Sequence, residues 1–266
     1  MENNTSGQPT KAPLAARTII SSLLAIAAVS LTTAGPAEAT GPVAAGPTPS
    51  AAACQSTIVS SSVTPKTVVL GTSQNKGIVL TAKVRKNGCR VNRVEMGLYG
   101  PNFVDTYDLS PVSTSSGVTT YDVGLRISPG DLPNSEAGQW SSFVTVWGES
   151  QPESKGPSFK ILRAGRLTTN AAPEPIKKGK TITVKGSLKR ANWDQGQYAG
   201  YGKRKVELQW RTTNGDYRRI KTVTSAKSGA LKAKVKATKD GCYRFVFRGS
   251  STTAPVVSAA DCVDVK

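Results

Sequence analysis

Apolar and polar residues alternate along most of the chain after residue 53, in short runs that turn residues separate. Successive side chains of a strand point to opposite faces of a sheet, so such runs predict half-buried β-strands. Turn residues at Asn87-Gly88 and at 129–131 divide the runs, and no segment in this half keeps a helical period. The strands predicted in the first half cover residues 78–84, 94–99, 119–127, 140–147 and 158–162.

The second half alternates more strictly. Val206, Leu208 and Trp210 share one face of a run, and Asn214-Gly215 after it predicts a tight hairpin, because both residues tolerate positive φ. About seven strands in about a hundred residues are typical of an immunoglobulin-like sandwich. The predicted strands cover residues 181–188, 205–211, 217–224, 231–236, 242–247 and 257–265.

The beginning of the chain has a different pattern. Lys11 and Arg17 precede an uncharged apolar run, and Ala37-Glu38-Ala39 follows it, which predicts a cleavable signal peptide over residues 1–39. The run is too short for a comfortable membrane span, so an N-terminal anchor is the weaker interpretation. A lipoprotein attached at Cys54 is weaker still, because this cysteine lies far beyond the run. We therefore expect a secreted, extracellular or wall-associated protein with no membrane span in its mature form.

The remaining chain divides by composition. Residues 40–53 are rich in Pro, Ala and Gly and predict a flexible linker. We expect an all-β protein with two tandem immunoglobulin-like sandwich domains, residues 54–163 and 164–266.

Four cysteines in an exported chain predict disulfides. Three pairings are possible, and the spacing favours one bridge in each half, Cys54–Cys89 and Cys242–Cys262. Tyr243, Phe245 and Phe247 lie in the core phase of the last hairpin and the cysteines lie in the opposite phase, so the second bridge should join neighbouring strands on the outer face.

Charge separates the two halves. The chain carries a formal net charge of +18, and residues 164–266 contain 22 basic and 7 acidic side chains against 11 and 8 in residues 54–163. Such an excess attracts polyanions, although exposed lysines also favour solubility and protect strand edges. The candidate polyanion-binding residues are Lys203, Arg204, Lys205, Arg211, Arg218, Arg219, Lys232, Lys234 and Lys236.

Aromatic residues offer a second kind of contact. Trp193, Tyr198 and Tyr201 lie in a Gly-rich segment expected to be a loop, where they could stack on sugar rings or bases or pack over the end of the sandwich. Trp140 and Trp147 lie on a predicted strand and are expected in the core.

No histidine occurs in the chain, which excludes imidazole-based nucleophilic and metal sites. A Ser–Lys dyad or a carboxylate pair stays chemically possible, but no spacing marks one. Asp261 and Asp264 lie three apart on a strand and should face opposite ways, so we predict no calcium site, no cofactor and no catalytic residue.

Several segments of the second half carry a family resemblance: residues 176–188, Trp193, 198–202, 222–225, 235–241 and 258–266. Together they resemble the C-terminal immunoglobulin-like module of small secreted actinobacterial proteins, most of which are labelled hypothetical or calcium-binding. The resemblance covers residues 166–266 and implies export and a sandwich fold, but no established reaction. Cys242 and Cys262 depart from the family pattern.

These features together predict a secreted or wall-associated, non-catalytic binding module. Its basic half should be attracted to anionic polymers of the cell envelope, and we expect no specific nucleic-acid partner. The alternative is an adaptor or inhibitor subunit of a secreted protein complex, joined through the 40–53 linker or through a sheet edge.

Overall fold

The computed structural model describes residues 54–266, and the predicted signal peptide and linker lie outside the described residues. Strands dominate the described part, and the only helices there are two single 3-10 turns, Pro129–Asp131 and Asn134–Glu136. This confirms the all-β fold class. Several long strands, such as β3 and β7, bury alternate residues, and there the sequence pattern and the strand positions agree well.

The first half contains nine strands. Eight of them follow one another in the order β1-β3-β6-β5-β4-β7-β9-β2, with β8 paired to β7, and only the β2–β9 pair is parallel. Strands along the whole path bury their side chains in one shared core. The strands are β1 (Thr57–Thr64), β2 (Thr67–Leu70), β3 (Lys76–Arg85), β4 (Val91–Tyr99), β5 (Val104–Ser115), β6 (Val118–Ile127), β7 (Gly138–Gly148), β8 (Glu153–Lys155) and β9 (Phe159–Arg163).

The second half contains two five-stranded sheets. In one, β12 pairs with β10, β11, β13 and β16; in the other the order is β15-β14-β17-β18, with β19 also paired to β17. Side chains from both sheets form one second core. The strands are β10 (Gly165–Leu167), β11 (Asn170–Ala172), β12 (Thr181–Asn192), β13 (Gln197–Gly200), β14 (Lys205–Arg211), β15 (Arg218–Thr224), β16 (Ala230–Lys236), β17 (Gly241–Phe247), β18 (Val256–Val257) and β19 (Asp261–Val263).

The end of β12 crosses from the second half into the first. Ala191 and Trp193 are fully buried in the core of the first half, and the Trp193 backbone N–H donates to Asn134 Oδ1 at 2.9 Å. The Asn134 side chain in turn donates to Asn192 Oδ1 at 2.6 Å. The two predicted domains therefore share core residues and belong to one compact unit.

Arg163 is buried where the halves meet. Its Nε donates to the backbone oxygen of Ala191 at 2.5 Å, and its backbone N–H donates to Thr252 O at 3.1 Å. Burial, followed by the charge of Arg190, lowers the pKa of the Arg163 guanidinium to about 10. The side chain thus stays charged at neutral pH while it ties β9 to the end of β12.

Both predicted disulfides are present, Cys54–Cys89 and Cys242–Cys262. Cys242 and Cys262 are direct partners on β17 and β19. Tyr243 and Phe245 are buried in the second core, and neither cysteine belongs to it. Cys262 is exposed, whereas Cys242 is 6% exposed. The bridge is therefore a cross-strand link outside the core, as the phase of the cysteines indicates, although its Cys242 end is covered.

Two local expectations were wrong. Trp147 is 37% exposed, whereas Trp140 is buried in the first core. Seven positions separate the two residues on one strand, so their side chains point to opposite faces. The tight hairpin at Asn214-Gly215 is also absent: six residues join β14 to β15, and neither central residue has positive φ.

Candidate polyanion-binding surface

The basic side chains of the second half have few acidic partners. Within the described residues, the only carboxylate of this half in an ion pair is Glu207, which lies 2.9 Å from Arg248 and 3.8 Å from Arg219. Twenty-two basic side chains thus share one ion-paired acid. Most of this positive charge faces water without compensation, and it produces an attractive field for anions.

A broad groove lies on the outer face of the β14–β15 sheet, with a volume of about 810 Å³. This is a size typical of ligand-binding clefts. We call it the outer groove. Its lining contains five cations, one acid and three hydroxyl side chains, together with Phe247 and Gly249 at the end of β17. The lining residues are Lys203, Arg204, Lys205, Glu207, Arg219, Thr222, Thr224, Phe247, Arg248, Gly249 and Ser250.

A fixed turn presents the basic triplet at one end of the outer groove. Lys203 has a φ of 58°, and its N–H donates to Ser225 O at 2.9 Å. The buried Ser225 hydroxyl accepts from the Arg204 N–H at 3.0 Å and donates to Tyr201 O at 2.8 Å. Since these bonds fix the backbone, the positions of Lys203, Arg204 and Lys205 are held by the fold.

Glu207 organises the middle of the outer groove. Its carboxylate accepts hydrogen bonds from Arg248 at 2.9 Å and from Gln209 at 3.1 Å. The hydrogen bond from Arg248 is the main reason why the pKa of Glu207 falls below its ordinary value, and the charges of Arg248 and Arg219 lower it further. The ionised carboxylate therefore holds two guanidinium groups beside each other at the surface.

Tyr201 supports the groove from inside and is not a contact residue. Its ring is 3% exposed, and the guanidinium carbons of Arg190 and Arg204 lie 4.2 and 4.5 Å from the ring centroid. Burial acts to raise the pKa of Tyr201, but hydrogen bonding to Ser250 and the two arginine charges lower it below its ordinary value. Stacking on Tyr201 orients Arg204 at the groove.

The other two aromatic candidates also differ from the expectation. Trp193 is 4% exposed within the first core, so it cannot stack on a ligand. Tyr198 is half-buried on β13, a strand where a loop was expected, and Arg166 lies 3.8 Å over its ring. The aromatic-contact hypothesis is therefore wrong for Trp193 and Tyr201, because tertiary packing uses their rings.

A second groove opens between the sheets where β15 approaches β16, with a volume of about 520 Å³. We call it the edge cleft. Arg218 lies 5.0 Å over the ring of Trp210, and Lys221 Nζ donates to Lys234 O at 3.4 Å. No acid of the described chain lines the cleft, which is formed by Trp210, Thr212, Arg218, Ile220, Lys221, Lys234, Val235, Lys236, Thr238, Lys239 and Tyr243.

The structure distributes the predicted basic residues over several places. Lys203, Arg204, Lys205 and Arg219 meet in the outer groove, while Arg218, Lys234 and Lys236 line the edge cleft. The remaining two lie in neither groove. Arg211 stacks on Tyr217 at 5.0 Å, and Lys232 is the direct strand partner of Lys185.

Sequence reasoning missed Arg248 and Lys239. Arg248 follows the end of β17 and reaches Glu207 only because β14 and β17 pair with Glu207 opposite Val246. Lys239 lies in the turn after β16 and lines the edge cleft. Neither residue belongs to a run of basic residues, so only strand register brings them to these sites.

Within residues 54–266, no three Cys, Asp or Glu side chains lie close enough together to hold a metal ion. Asp261 is occupied in a backbone contact, because its carboxylate accepts from the Ala171 N–H. No helix in the described part is long and apolar enough to cross a membrane.

No family model and no curated protein matches this chain. Solved structures similar to it include part of a 1.5-MDa bacterial ice-binding adhesin, determined to explain its retention at the host cell surface (13% identity, TM-score 0.32). The match covers 80% of this chain and 65% of that one.

The amphioxus IgVJ-C2 molecule is also similar, with 9% sequence identity and a TM-score of 0.29, and the match covers 74% of this chain and 99% of that one. The D0-D1 domain of intimin has 13% identity and a TM-score of 0.28, and the match covers 78% of this chain and 98% of that one. TM-scores this low assign the chain to none of these families, and its fold rests on its own strand pairing.

Proposed function

We propose that this protein is a non-catalytic binding module whose basic second half binds anionic polymers of the cell envelope. One observation carries the proposal: ten of the 22 cations of this half line two grooves, with Glu207 as the only acid in either lining. Clustered positive charge lowers the energy of a polyanion near the surface, within a screening distance of about 10 Å at 0.1 M salt.

Phosphate- or uronate-bearing wall polymers are the anions that an exported protein meets first. The predicted signal peptide and the two disulfides support an extracytoplasmic location. Arginine side chains held by Glu207 and Tyr201 present donors in a fixed fork, which suits phosphate and carboxylate groups.

The chemistry of the side chains supports a non-catalytic role. The chain has no histidine, and all four cysteines are joined in bridges. Glu207, the acid of the outer groove, has a lowered pKa and is therefore a poor proton carrier at neutral pH. We expect no hydrolysis of peptidoglycan, protein or polysaccharide by the purified protein.

Co-sedimentation with purified cell walls at rising salt tests the proposal. The variant Lys203→Gln/Lys205→Gln should lose much more binding than Lys66→Gln/Lys83→Gln, which removes the same charge from exposed positions of the first half. Binding by the wild type should fall steeply with salt. Binding that ignores salt, or equal losses in both variants, would contradict the proposed site.

Strand β1 supports the alternative function, an adaptor or inhibitor subunit that binds a partner protein through a sheet edge. It lies at one end of the first-half strand order, pairs only with β3 among the described strands, and carries no charged residue. Its free edge is therefore open to main-chain pairing with an extended peptide. A stoichiometric partner recovered from culture medium, and lost in Val59→Lys, would favour this function. The 40–53 linker of the same hypothesis lies outside the described residues.

A further inference from the structure

The two basic grooves lie on opposite sides of one strand. On β15, Arg219 is paired with Gln209 and faces the outer groove, while Arg218 and Lys221 line the edge cleft. Side-chain alternation produces this division, and a bulge opposite Leu208 and Gln209 adds one residue between Arg219 and Lys221. A single strand therefore presents cations to both grooves.

The path between the grooves is open. Among the described strands, β15 is the last in its sheet and pairs only with β14. Ile220, the extra residue of the bulge, is 41% exposed at this edge. No described strand pairs with this edge, so a ligand can pass from the outer groove, over β15, into the edge cleft.

We propose that one flexible, linear phosphate polymer binds both grooves at once by passing over the edge of β15. This inference rests on the proposed function and adds the form of the ligand. The bound chain runs from Lys205 and Arg219 in the outer groove to Lys221 and Arg218 in the edge cleft.

Flexibility follows from the size of the turn. The chain must reverse direction around one strand, and double-stranded DNA, with a persistence length of about 50 nm, cannot bend so sharply. The donors also fit phosphate: Arg219 lies 3.8 Å from Glu207 and Arg218 lies 5.0 Å over the ring of Trp210, so each groove presents a guanidinium fork that can bind a tetrahedral anion. Comparison with a carboxylate polymer tests the choice of phosphate.

Two linked sites increase the affinity for a ligand that is long enough to occupy both. Once a chain occupies one groove, its next segment meets the other at high effective concentration, and the gain in affinity is on the order of 10²–10⁴. A short anion fills one groove and gains nothing. The surface should therefore discriminate by polymer length at equal charge density.

Binding of fluorescent long-chain polyphosphate and of tripolyphosphate to the purified protein tests this inference, with anisotropy measured at several salt concentrations. The wild type should bind the long chain on the order of 10²-fold more tightly than tripolyphosphate. Arg219→Gln and Lys221→Gln should each weaken long-chain binding and lower its salt slope by about 0.7 per lost contact. Lys83→Gln, an exposed strand lysine of the first half, is the matched control and should change neither.

Three results would overturn the inference and leave the proposed function standing. The long chain and tripolyphosphate bind equally; only one of the two groove variants weakens the long chain; or polygalacturonate of matched charge binds much more tightly than polyphosphate. Polygalacturonate preference would indicate a carboxylate ligand. Absence of binding to every polyanion would overturn the proposed function as well.

Discussion

The two halves of this protein share an architecture and differ in their surfaces. Both bury alternate residues of antiparallel strands in one core. In the first half Arg93 lies 3.0 Å from Glu95 and 3.6 Å from Asp108, so one cation has two acidic partners. In the second half the ratio is reversed, because Glu207 alone serves Arg219 and Arg248.

This difference shows that a sandwich constrains its inward positions and leaves its outward positions free. On β16, Leu231 and Ala233 are buried, while Lys232, Lys234 and Lys236 are exposed. The same alternation on β3 of the first half buries Ile78 and Leu80, and its outward positions 77, 79 and 81 are uncharged, with charge only toward its two ends. The basic surface is thus not a requirement of the fold, which is why we assign it a function.

The largest expected effect concerns the place where the halves share a core. Trp193→Ala should lower the free energy of unfolding by about 3–5 kcal/mol, because it leaves a cavity in the first core. Urea unfolding followed by circular dichroism measures this loss. Trp147→Ala is the control at a partly exposed tryptophan, with an expected loss of about 1 kcal/mol. Equal losses would show that Trp193 is not a core residue.

Loss of one disulfide should cost nearly as much. Cys242→Ser/Cys262→Ser opens a bridge between residues 20 apart in sequence, and chain entropy predicts a loss of about 3 kcal/mol. Cys54→Ser/Cys89→Ser, with a separation of 35, should lose a similar amount. Thermal unfolding of both variants compares the halves directly. If one bridge proves dispensable, the halves depend on their bridges unequally.

Glu207→Gln should have a smaller, pH-dependent effect. The folded-state pKa of Glu207 is depressed, so its stabilisation is present above the ordinary carboxyl value of 4.5 and is lost as pH falls through the folded value. The variant should be slightly less stable than the wild type at pH 7 and equal to it at strongly acidic pH. Its affinity for polyanions should fall, because Arg219 and Arg248 lose the carboxylate that holds them in the outer groove. Tighter binding would show that the removed negative charge matters more than the positions of these arginines.

The smallest expected effect concerns a pair of like charges in the second half, which should lower its stability. Lys185 and Lys232 are direct partners on β12 and β16. Lys232→Glu makes an opposite-charge pair and should stabilise the protein by about 0.2–1 kcal/mol. The same variant should weaken wall binding, which a parallel sedimentation assay measures. Lys83→Glu, whose partners Ser60 and Thr120 are neutral, provides the control for net charge. A destabilised Lys232→Glu would contradict the proposed repulsion.

Strands with one buried face were predictable, and others were not. The segment that forms β14 was predicted with its exact bounds, because Val206 and Leu208 alternate with polar residues. Strand β5 was missed because only Leu109 of its 12 residues is fully buried, so it has no alternation to detect. Strand β13 was missed because its Gly-rich neighbourhood indicates a loop. It is a strand only through its pairing with β12, which the local sequence does not contain.

The sequence by itself determined the all-β class and the excess of positive charge in the second half, because alternation and charge are local or additive properties. Cysteine spacing favoured the observed disulfide pairs among three possible pairings, and the structure decided between them. Only the tertiary structure decided that Trp193 and Tyr201 are buried, that Arg248 reaches Glu207, and that the cations of β15 divide between two grooves. Strand register and bulges bring distant residues together or separate neighbours, and a linear pattern does not contain that information.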